Sequence, residues 1–152
     1  MAILLSFYML FLISTAYAAI RGGSDGRWAA FMVTMAVLLS AGAAMFDNSY
    51  VATQPQLLTI DLILLGGLFW LAVHSHRYWP IWMVGFHSLS VVSHLATFIN
   101  PTYLPAAYQA MTALWSIPVQ LVLILGVNLD RRAGLIDAIA GETADVEPVE
   151  HD

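Results

Sequence analysis

The sequence predicts an all-α integral membrane protein whose five transmembrane helices form one bundle. Only 10% of its 152 residues are charged, 60% are hydrophobic, and the mean hydropathy is +0.77. An average soluble domain carries about 25% charged residues, so this composition excludes an ordinary water-soluble domain. Long apolar runs alternate with short polar connections, and each run approaches the roughly 20 residues that a helix needs to cross a bilayer. Residues 1–128 are therefore predicted to form one five-span domain.

The spans are predicted, in chain order, at residues 2–20, 28–46, 54–73, 80–98 and 106–127. The first span is uncharged. Its Ala-Tyr-Ala at 16–18 resembles a signal-peptidase site, but the positively charged start of a secretory signal is lacking, so we expect a retained span. The second span follows a polar, glycine-rich connection at residues 21–27.

Prolines and a helix-capping pattern mark the last three spans. Thr53 and Gln56 have the spacing of a capping box, and Pro55 stands in the first turn that they predict. Pro80 opens the fourth span. Pro118 lies inside the fifth span and predicts a kink there, because proline removes a helical hydrogen bond.

All five basic residues fall on one side of a five-span bundle. By the positive-inside rule this side is cytoplasmic, which places the N-terminus outside. The predicted location is a bacterial-type inner membrane. The cytoplasmic interface is predicted to contain Arg21, Arg27, His74, His76, Arg77, Arg131 and Arg132, with Trp28, Trp70, Trp79 and Trp82 near the same surface.

Residues 129–152 are predicted to form a short amphipathic helix and an acidic tail in the cytoplasm. Leu129, Ala133, Ile136 and Ile139 recur at helical spacing. The chain beyond Arg132 contains six acidic residues and no basic residue, which accounts for the net charge of −5. Residues 142–152 are typical of a solvated tail, and docking on a partner is the alternative. Nucleic-acid binding has no support from this charge distribution.

Polar side chains on the last three spans predict a seam inside the bundle. At 100° per residue, the polar residues of span four share one face, and those of span five share another. Because neither stripe can face lipid at low cost, we expect the two faces to meet, with the acidic residue of span three beside them. The predicted seam consists of Asp61, His87, Ser90, His94, Thr97, Gln109, Thr112, Ser116 and Gln120.

Asp61 has two alternative interpretations. Its depth in span three matches that of His94 in span four, so the two side chains could form an ion pair that offsets the cost of a buried charge. Alternatively, Asp61 caps the helix or reaches toward the outer interface. The sequence leaves both open.

Small residues predict close helix packing. Ala29, Ala36, Ser40, Ala43 and Ala44 line one face of span two, and Gly66, Gly67 and Gly85 offer similar surfaces on the next two spans. We expect packing within the chain, and an oligomer interface is the alternative.

Two functional alternatives depend on His87 and His94. A haem or chlorophyll-type pigment needs an axial ligand, but these histidines are separated by roughly 10.5 Å along one helix. A single-histidine pigment, or a ligand from a second copy, remains open. His76, His87, His94 and Asp61 also predict a ladder of titratable groups, as in proton or small-solute pathways.

No catalytic motif is recognisable. The sequence contains no phosphate-binding glycine loop, zinc-protease motif or Ser-His-Asp context, and the absence of cysteine excludes disulfides and thiolate chemistry. His74 and His76 lack a neighbouring carboxylate, so we expect no metal site. The resulting prediction is a non-catalytic accessory or assembly subunit of a larger membrane complex, with bound lipids and other membrane subunits as partners.

Overall fold

The structure, a computed structural model, describes residues 2–46, 50–99 and 105–134, with side chains described at 5–43, 45, 55–96 and 114–134. These residues contain five α-helices: α1 (Ala2–Arg21), α2 (Gly23–Phe46), α3 (Tyr50–His74), α4 (Trp79–Ile99) and α5 (Pro105–Arg132). The predicted all-α fold with five helices is confirmed. Each helix packs against its neighbours in the chain, and α5 also packs against α1, so the helices close into a ring.

Three helices are long and apolar enough to cross a membrane, judged on the described residues. They are Gly23–Ala43 in α2, Pro55–His74 in α3 and Leu114–Arg132 in α5. The described apolar stretch of α1, Leu5–Arg21, is shorter, and α4 contains two histidines and three serines that lower its hydropathy. The count of five spans stays a prediction.

The connection between α1 and α2 is much shorter than predicted. α2 begins at Gly23 rather than at residue 28, so Gly22 alone links the two helices. Gly23 has φ +59°, a conformation that glycine adopts without steric cost. A Cβ atom on Gly22 would lie 2.7 Å from the Cα atom of Gly26, so only glycine permits this close approach. Asp25 consequently lies in the first turn of α2, where the helix dipole favours a negative charge.

The third helix and its proline also differ from the prediction. α3 begins at Tyr50, so Thr53 and Pro55 lie inside the helix, and the helix start predicted from the capping box at Thr53 is wrong. α5 remains helical on both sides of Pro118. Since proline has no amide hydrogen, the carbonyl oxygen of Leu114 lacks its usual helical partner there.

The last helix ends later than predicted, at Arg132 rather than at residue 127. The amide N–H of Ala133 still donates to the carbonyl oxygen of Leu129 at 2.9 Å. Gly134, with φ +68°, then ends the helix in the left-handed conformation. The predicted amphipathic helix is therefore interrupted at Gly134, and the part before Gly134 continues α5. Residues 135–152 lie outside the described residues.

The outer surface of the bundle is as apolar as its interior. Leu68, Met83 and Leu123 are fully buried inside the ring. All five helices also expose large apolar side chains outward, among them Ile13, Phe31, Ile63, Val92 and Leu125. Contiguous exposed apolar surface of this extent marks a membrane-facing or partner-facing protein surface.

Gly126 of α5 provides the space that the Trp79 ring occupies. Trp79 is only 6% exposed, although the sequence placed it at the membrane interface. A Cβ atom on Gly126 would collide with Cβ, Cγ and Cδ1 of this indole. The helix–helix contact between α4 and α5 therefore depends on a residue without a side chain.

We expect Gly126→Ala to lower the free energy of unfolding by about 1–3 kcal/mol, because the overpacked indole must move. Gly85→Ala is the matched control, since a Cβ atom on Gly85 meets nothing within 4 Å. It should be neutral or stabilising by about 0.5–1 kcal/mol, owing to the higher helix propensity of alanine. Denaturation of both variants in detergent measures the difference, and equal stabilities would contradict the packing described.

Candidate functional site

Asp61 of α3 contacts both buried histidines of α4. Its Oδ2 atom lies 2.7 Å from Nε2 of His94, and its Oδ1 atom lies 3.9 Å from Nε2 of His87. The backbone carbonyl oxygen of Asp61 is 3.1 Å from the same His87 nitrogen. The histidine side chains are 8% exposed and that of Asp61 is 17% exposed. We call these three residues the Asp61 site.

Helical periodicity explains this geometry. His87 and His94 are seven residues apart, so they lie two turns apart on one face of α4, separated by roughly 10.5 Å along its axis. Asp61 lies between them on the packed neighbour α3. One carboxylate and its backbone carbonyl can therefore contact two histidines that cannot contact each other.

The two interpretations of Asp61 are thereby distinguished in the structure. The Asp61–His94 pair is formed at hydrogen-bond distance. Asp61 does not act as a free interfacial cap, because its side chain is mostly buried against α4. The matching depths of the two residues in their spans are the sequence signal that made this contact one of the two alternatives.

The side chains of three other residues of the predicted seam are described, namely Ser90, Ser116 and Gln120. Ser90 lies buried between the two histidines on α4, and Ser116 of α5 is half-buried. The side chains of Thr97, Gln109 and Thr112 lie outside the described residues. The structure therefore places four of the predicted residues, Asp61, His87, Ser90 and His94, on the facing sides of α3 and α4.

Gln120 has a partner that the sequence did not predict. Its Oε1 atom accepts a hydrogen bond from the Ser14 hydroxyl of α1, and both side chains are buried. Ser14 also approaches the carbonyl oxygen of Phe11 at 3.0 Å. The prediction that Gln120 faces span four is therefore wrong, because ring closure places α1 against α5. The sequence signal for this contact was the adjacent pair of hydroxyl residues, Ser14 and Thr15, in the uncharged first span.

A second polar group closes one end of the bundle, where α1, α3 and α5 end. Its centre is Arg77, in the connection between α3 and α4, whose side chain is 8% exposed. The guanidinium pairs with Asp130 of α5 and lies 3.5 Å from Oδ2 of Asp25 on α2. Ser75 donates to the same Asp25 oxygen at 2.6 Å, and the Trp79 indole N–H donates to Asp130 at 2.8 Å. We call these five residues the Arg77 cluster.

The Arg77 cluster shows that two residues predicted at the cytoplasmic interface have buried side chains. The guanidinium of Arg77 pairs with two carboxylates and is 8% exposed. Trp79 is buried rather than interfacial, because its indole fills the space beside Gly126 and hydrogen-bonds Asp130. The cluster ties the start of α2, the α3–α4 connection and the end of α5 together.

The other predicted interface residues lie at the same end of the bundle and are exposed. They are Arg21, Arg27, His74, His76, Arg131 and Arg132. His74 stacks on Trp70 with ring centroids 4.6 Å apart, and its Nδ1 atom lies 2.9 Å from the Trp70 carbonyl oxygen. His76 lies in the α3–α4 connection, and the buried Trp79 and Met83 lie between it and His87 along the chain. The ladder of titratable groups stays a prediction. Among the described residues, no group of three or more His, Asp or Glu side chains could hold a metal ion.

An apolar layer separates the Asp61 site from the Arg77 cluster. Leu68 of α3, Met83 of α4 and Leu123 of α5 are fully buried. Met83 lies four residues from both Trp79 and His87, and so about 6 Å from each along the helix axis. The interior thus has two polar levels with this apolar layer between them.

The small-residue face of α2 packs largely within the chain. Ala29 and Ala36 are buried, and Ser40 and Ala43 are half-buried, while the side chain of Ala44 is not described. A Cβ atom on Gly67 would lie 2.7 Å from the sulfur of Met32 in α2. A Cβ atom on Gly66 or Gly85 would have nothing within 4 Å. Among these three glycines, only Gly67 therefore lies in a close contact between helices.

Comparisons of the chain with protein-family models, with curated proteins and with solved structures found no match.

Proposed function

We propose that this chain is a five-span protein of a bacterial-type inner membrane, with its N-terminus outside, and that the Asp61 site binds and exchanges protons. The single observation that carries the proposal is the contact of one buried carboxylate with two buried imidazoles on the facing helix. Ionisable residues inside a membrane bundle most often mark ion or proton sites.

The distribution of polar and apolar side chains supports five spans rather than three. α1 exposes Leu12, Ile13 and Ile20, and α4 exposes Ile81 and Val92. Ser14 and Thr15 of α1, and His87, Ser90 and His94 of α4, are buried. A helix that is apolar outside and polar inside is favoured in lipid and disfavoured in water.

The atoms of the Asp61 site suit reversible proton binding. The Nε2–H group of His94 donates to the Asp61 carboxylate, and that of His87 donates to the Asp61 carbonyl oxygen. An imidazolium donates from both ring nitrogens, so a protonated His94 would form an imidazolium–carboxylate pair with Asp61.

The apolar layer supports proton binding over continuous conduction. In the proposed orientation the Arg77 cluster is cytoplasmic, and the Asp61 site lies on the outer side of Leu68, Met83 and Leu123. A proton crossing toward the cytoplasm would have to pass this apolar layer. Conduction of protons or small solutes stays a prediction that requires this layer to open.

We expect infrared difference spectra of the membrane-reconstituted protein to show a pH-dependent carboxylate band that disappears in Asp61→Asn. His94→Gln should shift the same band, because it removes the hydrogen-bond donor from Oδ2. Glu142→Gln, in the acidic tail, is the control and should leave the band in place. If Asp61→Asn retained every pH-dependent band of the wild-type protein, the proposal would fail.

The accessory-subunit role stays a prediction, and it does not conflict with proton binding. The single-residue link between α1 and α2 and the four-residue link between α3 and α4 leave little room for a soluble catalytic site on that side. Affinity purification of gently extracted protein tests this role by co-purification of defined membrane subunits.

The pigment alternative has less support. Nε2 of both His87 and His94 faces Asp61, so neither ring could ligate haem iron through Nε2 without giving up this contact. An absorption spectrum of the purified protein tests it directly, and a Soret or red pigment band would favour this alternative over proton binding.

A further inference from the structure

An open groove of about 460 Å³ lies on the outer face of α2. Ser24, Arg27, Trp28 and Phe31 line it. Their spacing places them on one face of the helix, in successive turns. The groove lies at the same end of the bundle as the Arg77 cluster, but on the outside.

Arg27 supplies an unbalanced positive charge to this groove. Its Nε atom donates to the Ala19 carbonyl oxygen of α1 at 3.4 Å, at the exposed surface. Among the described residues Arg27 forms no ion pair with a carboxylate. Asp25, the nearest acid in sequence, is bound by Ser24, Ser75 and Arg77.

The chemistry of the groove changes in one direction along α2. The guanidinium of Arg27 comes first, then the indole of Trp28 and the phenyl ring of Phe31, and each of the two aromatic residues is 54% exposed. The rings are arranged edge to face with centroids 6.0 Å apart. Cation, interfacial indole and apolar ring thus follow each other as headgroup, glycerol region and acyl chain do in a phospholipid.

We propose that this groove binds an anionic phospholipid, with its phosphate at Arg27 and its first acyl chain along Trp28 and Phe31. The charge complementarity favours an anionic headgroup over a zwitterionic one. The apolar half favours a lipid over a free phosphate ion. This proposal depends on the membrane location proposed above, and not on the proton chemistry of the Asp61 site.

The test is native mass spectrometry of the full-length protein in micelles that contain equal amounts of phosphatidylglycerol and phosphatidylcholine. We expect the wild-type protein to retain phosphatidylglycerol preferentially. Arg27→Gln should reduce this retention about fivefold, because one interfacial cation contributes about 1 kcal/mol to binding of anionic lipid. Arg131→Gln is the matched control, because Arg131 is exposed at the same end of the bundle and lies outside the groove.

Equal retention of the two lipids, or an equal loss in Arg27→Gln and Arg131→Gln, would overturn the lipid site. Inorganic phosphate that displaces phosphatidylglycerol completely would overturn it as well, because a free anion would then satisfy the groove. Membrane fractionation separates the two proposals. Protein that is absent from the membrane fraction refutes the membrane location, whereas membrane-bound protein without lipid preference refutes the groove alone.

Discussion

Arg77→Met is expected to lower the free energy of unfolding by about 3–5 kcal/mol, the range found when one partner of a buried ion pair is removed. Arg77 is the group that balances Asp25 and Asp130, which approach it from α2 and α5. Without the guanidinium, two partly buried carboxylates lie near each other with no cation between them. The same change removes the contact that links α2, the α3–α4 connection and α5.

Denaturation of the purified protein in mixed micelles measures this loss, with Arg131→Met as the matched control. Arg131 is exposed in the last turn of α5, and surface ion pairs contribute only about 0–1 kcal/mol, so its replacement should have little effect. Arg77→Met combined with Asp130→Asn should recover part of the loss, because one uncompensated charge is removed. Comparable stabilities for Arg77→Met and Arg131→Met would show that the Arg77 cluster does not hold the bundle.

The Asp61 site could be predicted because its signals are local in each helix. Periodicity placed His87 and His94 on one face of α4, and distance from the helix ends placed Asp61 at a matching depth on α3. Antiparallel neighbours joined by a short connection pack side by side, so phase and depth together made the Asp61–His94 contact one of two alternatives. The same reasoning failed for Gln120, because it compared only neighbouring spans. The contact between α1 and α5 is set by closure of the ring.

The Arg77 cluster could not be predicted in this way. Arg77 and Asp130 are 53 residues apart, and Asp25 lies 50 residues from Ser75. The positive-inside rule explains why basic residues lie near the ends of apolar spans. It counts each basic residue by itself and takes no account of contacts between residues. That rule says nothing about which cation turns inward. The deciding features are Gly22, which brings Asp25 into the first turn of α2, and Gly126, which admits the Trp79 ring beside Asp130.

A double-mutant cycle of Asp61→Leu and His94→Leu is expected to give a coupling energy of about 1–3 kcal/mol. Asp61→Leu alone leaves the Nε2–H group of His94 buried without its acceptor, and His94→Leu alone leaves the carboxylate without its donor. Each single change should therefore cost about 1–3 kcal/mol or more, since an unsatisfied buried polar group pays its full desolvation penalty. The double variant removes both groups, so its loss should be smaller than the sum of the single losses.

His87 provides the control for this cycle. Its closer partner is the Asp61 carbonyl oxygen at 3.1 Å, while the carboxylate is 3.9 Å away. A leucine at position 61 retains that carbonyl, so the hydrogen bond of His87 can persist in Asp61→Leu. The coupling of Asp61 with His87 should consequently be weaker than its coupling with His94. If the two couplings were equal, or if Asp61 coupled with neither histidine, Asp61 would not be the shared partner of the two rings and the proton-binding site would lose its central group.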